Sequence, residues 1–462
     1  MPMLGAIAVP HPPVIVPEVG HGREREIQAT IDAYRAASRQ VAAWRPDALV
    51  IASPHTVSYA DYFHIAPGEG ASGDLSAFGA GRVRLRVAYD ELLRAELIGQ
   101  AEEAGIPAGT RGQRDPMLDH GACVPLFFLR EAGVDCPVVR LGLSGLSPLA
   151  HYRLGRCAAQ AADALGRRVV FVASGDLSHK LTADGPYGFA PEGSAFDAQA
   201  TAALASGDFL RLLTLDPTLC ERAAECGLGS FQIMAGALDG QAVRPELLSY
   251  EGPFGVGYGV AVFSVTGADD SRRFAARYEE AEQARLRERK AGEDPWVSLA
   301  RLSLETYVRT GRPLARLPEN LSAELTSRAA GVFVSLHVRG QLRGCIGTIR
   351  PVTSSVAMEI VRNAVSAGAE DPRFDPVRPD ELDTLEYHVD VLGPAQSISG
   401  PGELDVKRYG VIVSHGGRRG LLLPDLDGVD TVEQQIDIAR QKGGIGPKEP
   451  YTLERFEVVR HT

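Results

Sequence analysis

The stretch LGAIAVPHPPVIVP, Leu4–Pro17, sets an apolar run against four prolines with a single imidazole, His11, among them. Leu4 to Val9 reads as a strand apolar on both faces, as in a sheet covered on each side. Proline fixes φ and offers no N–H, so the chain at His11 can neither extend the sheet nor begin a helix. It must leave the strand as a stiff, extended loop. Working outward, further strands are expected at Ala48–Ala52, Val83–Val87, Val138–Leu143, Val169–Ala173, Leu247–Tyr250 and Tyr258–Val265. Helical periodicity lies between them: Ile27, Ile31, Tyr34, Val41 and Trp44 mark one face, and HGACVPLFFLREAG and SPLAHYRLGRCAAQAADALG follow. Strands alternating with helices to about Val265 predict a three-layer α/β domain on an internal sheet.

Residues 267–294 are charged with both signs and poor in large aliphatics, which reads as a helical linker. Beyond it, residues 295–462 carry a helix at Trp296–Val308, a hairpin turning near Arg339-Gly340-Gln341, and a helix near Ser354–Gly368. A second hairpin turns at Gly416-Gly417, followed by an amphipathic helix and a last strand, LERFEVVRH. That is a smaller α+β domain. The expected divisions are thus 1–266, 267–294 and 295–462.

A net charge of −11 argues against general nucleic-acid binding, which needs a basic face. No apolar run approaches the roughly 20 residues of a membrane span, and the proline-broken start does not read as a signal peptide. Six cysteines without a C-x-x-C pair fit free thiols and a cytoplasmic location.

Four chemical groups share one placement. His11, His55 in SPH, His179 in SGDLSH and Glu251 in YEG each follow the end of an expected strand. In open α/β sheets the loops at the carboxyl ends of the strands converge on a common crevice, where ligands bind. Two histidines and a carboxylate make a facial set for non-haem iron that leaves positions for substrate and oxygen. His21, His64 and His151 read instead as surface or helix-end residues.

In that order, VPHPPVIVP, SPH, LDHG, SGDLSH and YEGPFGVGYG resemble the class III extradiol ring-cleavage dioxygenases, over about Met1 to Val265. The likeness is to the catalytic subunit of protocatechuate 4,5-dioxygenase (LigB-like) and to the Memo proteins of the same fold. It implies a central mixed sheet, with His11, His55 and Glu251 as ligands of Fe(II), Zn(II) or Mn(II) being the other candidates. It further implies His179 as acid/base, His120 facing the substrate, and a small aromatic diol or aminophenol opened with O2. Asp176 and Ser178 would orient neighbouring imidazoles. His120 reads equally as the start of the helix at Gly121, and His179 equally as a further ligand.

The stretches LRGCIGTIRP, EDPRF and GLLLPDL resemble the AMMECR-type domain, over about Trp296 to Thr462. Chains joining both modules are similar to those of the AmmeMemoRadiSam group, which implies a radical-SAM protein as partner; a homo-oligomer is also expected. Strand alternation puts Arg343 and Cys345 on the face opposite Leu342 and Ile346, toward a cleft or solvent. A thiol near a guanidinium gains thiolate character, but a structural cysteine is the more ordinary reading. Besides the dioxygenase, two other functions fit the chain: a metal-dependent hydrolase or lyase, and a metal-holding partner protein.

Overall fold

The computed structural model describes residues 2–113, 117–338, 341–426 and 428–462. It divides into two compact units, 1–283 and 284–462, the division falling inside the helix Phe274–Gly292.

The first unit is built on six strands: Met3–Val9 (β1), Ala48–Ser53 (β2), Val138–Gly142 (β3), Val169–Ser174 (β4), Gln241–Glu251 (β5) and Tyr258–Ala268 (β6). Their order is β3-β2-β4-β1-β6-β5. The first four are mutually parallel, whereas β6 runs antiparallel to β1 and β5 antiparallel to β6. The sheet is therefore mixed, and helices cover both faces. Ala6 and Ala8 join one buried cluster while Ile7 and Val9 join the other, which is why β1 is apolar at every position. The helix Gln28–Trp44 (α1) buries Ile31, Tyr34 and Val41 on one side, a 3.6-residue stripe.

Two expectations change here. Val83–Val87 lies in a separate two-stranded ribbon, Gly70–Leu75 with Ala80–Ala88, because its alternate residues are exposed arginines with no second layer to cover them. His64 and His151 are buried, not superficial: Phe63 packs edge-on against His151 in the helix Pro148–Ala164.

Register aligns the site. Val9 of β1 pairs with Ser174 of β4, and Ala52 of β2 pairs with Ala173. The carboxyl ends of β1, β2 and β4 thus lie level, and β4 is inserted between two strands that precede it in the chain. That reversal of strand order opens a crevice at this edge.

The second unit is α+β with two four-stranded sheets. The first contains Val332–Val338 (β7), Gln341–Gly347 (β8), Glu386–Leu392 (β9) and Val458–His461; the second contains Gln396–Ile398, Gly410–His415, Arg418–Leu422 and Thr452–Phe456. The expected single strand LERFEVVRH is two strands, one in each sheet, broken at Glu457, whose carbonyl accepts the Gly393 N–H at 2.8 Å. Arg339 and Gly340, where the first hairpin was expected to turn, lie outside the described residues. The helices Pro295–Thr310 and Val356–Ala369 cover the apolar face of the first sheet. Among the described residues no helix is long and apolar enough to cross a membrane.

Candidate metal centre

Backbone closeness assembles the site. A Cβ on Gly121 would stand 2.4 Å from the Ser53 hydroxyl, so glycine lets the helix His120–Glu131 (α2) begin directly against the end of β2. The Asp119 carboxylate caps α2 by accepting the Ala122 N–H at 3.1 Å, and its same oxygen accepts the Ser53 hydroxyl at 2.6 Å. This lays the His120 ring on that of His55, centroids 4.1 Å apart. His120 is thus both the first residue of α2 and a member of the site. Across the crevice a Cβ on Gly175 would lie 2.1 Å from the Gly227 Cα. Two glycines in contact bring the loop after β4, with Asp176, against Cys226 at the head of the helix Leu228–Ala237 (α3).

At the centre His11 Nε2 lies 2.9 Å from His55 Nε2 and 3.6 Å from the Cys226 sulfur. Ligand atoms of His11, His55 and Cys226 all fall within 4.8 Å of one another. Bonds of about 2.0–2.3 Å to one ion span separations up to about 4.6 Å, which the 2.9 and 3.6 Å separations from His11 Nε2 satisfy, so the three donors are a candidate set for a single metal. An Asp176 oxygen stands 3.9 Å from His11 Nε2.

The tautomer of His11 follows from its neighbours. The Ser174 hydroxyl donates its one proton to the Gly121 carbonyl at 2.5 Å. Toward His11 Nδ1, 2.9 Å away, it can only accept. The ring proton therefore sits on Nδ1, and Nε2 presents a lone pair to the centre. His179 is oriented by its own partner: Nδ1–H donates to the Ala224 carbonyl at 2.6 Å, so Nε2 is the nitrogen left toward the crevice.

Burial, with neighbouring imidazoles adding to it, pushes the His11 pKa well below its usual value. His55 and His120 are lowered by the same desolvation, only partly opposed by Asp119. All three rings are neutral, the form that ligates metal. Burial raises Asp176 to about 6 even though it accepts the His11 backbone N–H at 2.7 Å. The Cys226 thiol is pushed well above its ordinary range by burial, so a cation is required to displace its proton.

The residues expected from the sequence divide accordingly. His11, His55, His120 and Asp176 converge, and the field of His179 reaches His11 and Asp176. Glu251 is not in the group. Its Oε2 accepts the N–H and hydroxyl of Thr30 at 2.7 and 2.6 Å, so the carboxylate serves the first turn of α1, where backbone N–H groups lack partners. The Ser178 hydroxyl donates to the Ala223 carbonyl at 2.9 Å and accepts the Lys180 N–H at 3.0 Å, holding the loop and no imidazole. Cys226 and Ser174 were missed. The available signal was Cys226-Gly227 immediately before the apolar helical run LGSFQIMAGAL. In the second unit Arg343 is paired with Glu381 at 2.9 Å. Cys345 is half-buried: Asp371 accepts its N–H at 2.8 Å, and Arg373 donates to its carbonyl at 3.1 Å.

Imidazoles and a thiol at the carboxyl edge of a mixed α/β sheet define a protein of dioxygenase-like fold with a candidate metal site. Residues 5–261 match the family described as the catalytic LigB subunit of aromatic ring-opening dioxygenase, and residues 297–461 match AMMECR1. The chain belongs to the LigB family, with an AMMECR1 module fused behind it. Protein CA_C1420 of Clostridium acetobutylicum is 39% identical over 100% of this chain and 99% of its own. A Thermotoga maritima protein is 49% identical over 172 residues, 37% of this chain and 98% of its own. A solved structure, the uncharacterized protein PH0010 of Pyrococcus horikoshii, covers 36% of this chain and 88% of its own at 31% identity with a TM-score of 0.34.

Proposed function

We propose that the first unit is a metal-dependent oxidoreductase acting with O2 on a small aromatic diol or aminophenol. The observation that carries this reading is the convergence of His11, His55 and Cys226, with the imidazole of His179 oriented by the Ala224 carbonyl. His11, His55 and Cys226 would hold the metal, with Asp176 the nearest carboxylate. When bound, the metal would supply Lewis acidity and an electron path between substrate and oxygen. The protein supplies the rest. His179 Nε2 takes the proton of the acidic hydroxyl, and the Ala224 carbonyl, bonded to Nδ1–H, stabilises the resulting imidazolium. His120, stacked on His55, faces the same space and orients the ring. Burial keeps His11 neutral, while His55 is exposed and His120 half-buried, so the centre opens to solvent on their side.

A second reading, a metal-holding protein that partners a radical-SAM enzyme without opening rings, draws on Glu251. With that carboxylate on Thr30, the donors are two imidazole nitrogens and one sulfur, a set that favours softer ions such as copper or zinc alongside iron. The deciding experiment loads metal-free protein with Fe(II), Cu(I) or Zn(II) under argon, adds catechol or 2-aminophenol, and admits oxygen. Oxygen uptake with ring-opened product, lost in His179→Ala at full metal occupancy, supports the first reading. Full occupancy with every metal but no uptake refutes it.

A further inference from the structure

The two sheets of the second unit meet along a short apolar seam, where Leu392, Ile412, Leu421 and Phe456 are buried and Phe333 and Ile349 are partly so. At one end the seam opens into a cleft of about 380 Å3. Ala330, Gly331 and Ile349 form one wall, and Ile412 and Phe456 the other. A Cβ on Gly331 would stand 2.4 Å from the Thr348 carbonyl, so this wall is backbone and small side chains, and nothing fills the gap. The volume falls at the lower end of the range of roughly 300–1,000 Å3 common to small-molecule sites, and its lining mixes polar and apolar atoms about equally.

The rim is charged. Arg328, Arg350 and Arg419 stand there against a single carboxylate, Glu454. Arg419 is held in place, donating to the Ser414 hydroxyl at 3.0 Å and to Glu454 at 2.8 Å. The side chains of Arg328 and Arg350 have no hydrogen bond or ion pair among the described residues. The cleft therefore joins the accessible apolar groups Ile349, Pro351 and Pro394 to two guanidinium groups without an ion pair among the described residues, and guanidinium matches carboxylate and phosphate oxygens in a bidentate way.

We propose that this cleft is a binding site for a small organic anion, an apolar body bearing one carboxylate or phosphate. The body lies on Ile349, Pro351 and Pro394, and the anionic head reaches Arg328 and Arg350. The site lies within the second unit, and the proposal does not depend on the chemistry of the metal centre.

The test uses the full chain with three probes of similar size: phenylacetate, phenyl phosphate and neutral phenylacetamide, titrated by calorimetry and by ligand-observed NMR. At least one anion is expected to bind in the sub-millimolar range, with the amide about tenfold weaker or worse. Binding of phenylacetate identifies a carboxylate site, and tighter binding of phenyl phosphate a phosphate site. Arg328→Ala/Arg350→Ala removes two exposed side chains, so it should weaken the anion about tenfold without lowering Tm. Ala395→Leu, at an exposed position on the cleft wall, should block binding with the fold intact. No anion binding up to about 10 mM, equal binding of amide and acid, or full affinity in the double arginine variant would each overturn the proposal.

Discussion

Ser174→Ala tests the hydrogen-bond chain behind the metal centre. The hydroxyl is fully buried, 2.9 Å from His11 Nδ1 and 2.5 Å from the Gly121 carbonyl. Removing it leaves a buried N–H and a buried carbonyl without partners, and an unmet buried donor costs about 1–3 kcal/mol. His11 escapes half of that cost by moving its proton to Nε2, where it can point at His55 Nε2. Nε2 then has no lone pair for a metal. Loss of the outer partner of a ligating histidine typically lowers metal affinity 10–100-fold, or about 1.4–2.7 kcal/mol. Metal-free protein titrated with Co(II), followed by the visible absorbance of the thiolate complex, should show that loss. Ser178→Ala is the control: its hydroxyl serves only the loop, so affinity should stay within about twofold. Should Ser174→Ala bind Co(II) as tightly as wild type while losing stability, the tautomer assignment is wrong.

Three further outcomes are expected. Glu251→Ala uncovers the first turn of α1 and should cost about 1–3 kcal/mol in denaturant unfolding while one metal per chain is retained; loss of metal from the folded variant would restore Glu251 as a ligand. Gly175→Ala forces a Cβ to within 2.1 Å of Gly227 and should part Asp176 from Cys226, abolishing metal binding and destabilising the fold by about 1–3 kcal/mol; unchanged Co(II) affinity would show that the contact is dispensable. His151 is held neutral by burial, its pKa lowered from 6.5 to about 4 although Nδ1–H donates to the Ser147 carbonyl. Between those values the unfolded chain carries the extra proton, so stability rises with pH across the window and is lost as pH falls through it. By pH 5 the loss is on the order of 2 kcal/mol, and His151→Leu should remove that much of the difference between unfolding curves at pH 7 and pH 5; an unchanged difference would refute it.

The architecture of the first unit was legible because β1, β2 and β4 are buried nearly throughout and apolar up to the closing serines of β2 and β4, a pattern that a doubly covered strand requires. The placement of His11 and His55 followed from their positions just past strand ends. Side-chain direction did not follow. Glu251 also sits at a strand end, but β5 is the outer antiparallel edge, and α1 offers unmet N–H groups that take the carboxylate. Cys226 belongs to no strand end; it reaches the centre through the Gly175–Gly227 contact, and nothing in local periodicity encodes a contact between residues 52 positions apart. The break at Glu457 was equally hidden, since alternation continues through it while the chain passes from one sheet to the other.

The donor set ties the centre to folding. Its atoms come from the loop after β1, the loop after β2 and the approach to α3, so no two are close in an unfolded chain. A metal bound only by the folded state adds RT ln(1 + [L]/Kd) to stability, about 2.7 kcal/mol at a hundredfold excess over Kd. Two imidazole nitrogens facing each other at 2.9 Å beside a desolvated thiol are poorly served without a cation or proton between them. Replacement of Cys226 by a carboxylate distinguishes the two functional readings. Cys226→Asp exchanges the soft sulfur donor for a hard oxygen and leaves both imidazole nitrogens in place. If ferrous iron and oxygen are what the fold serves, Cys226→Asp should keep its iron and some oxygen uptake. A site built for a softer ion should lose its metal preference and its stabilisation together.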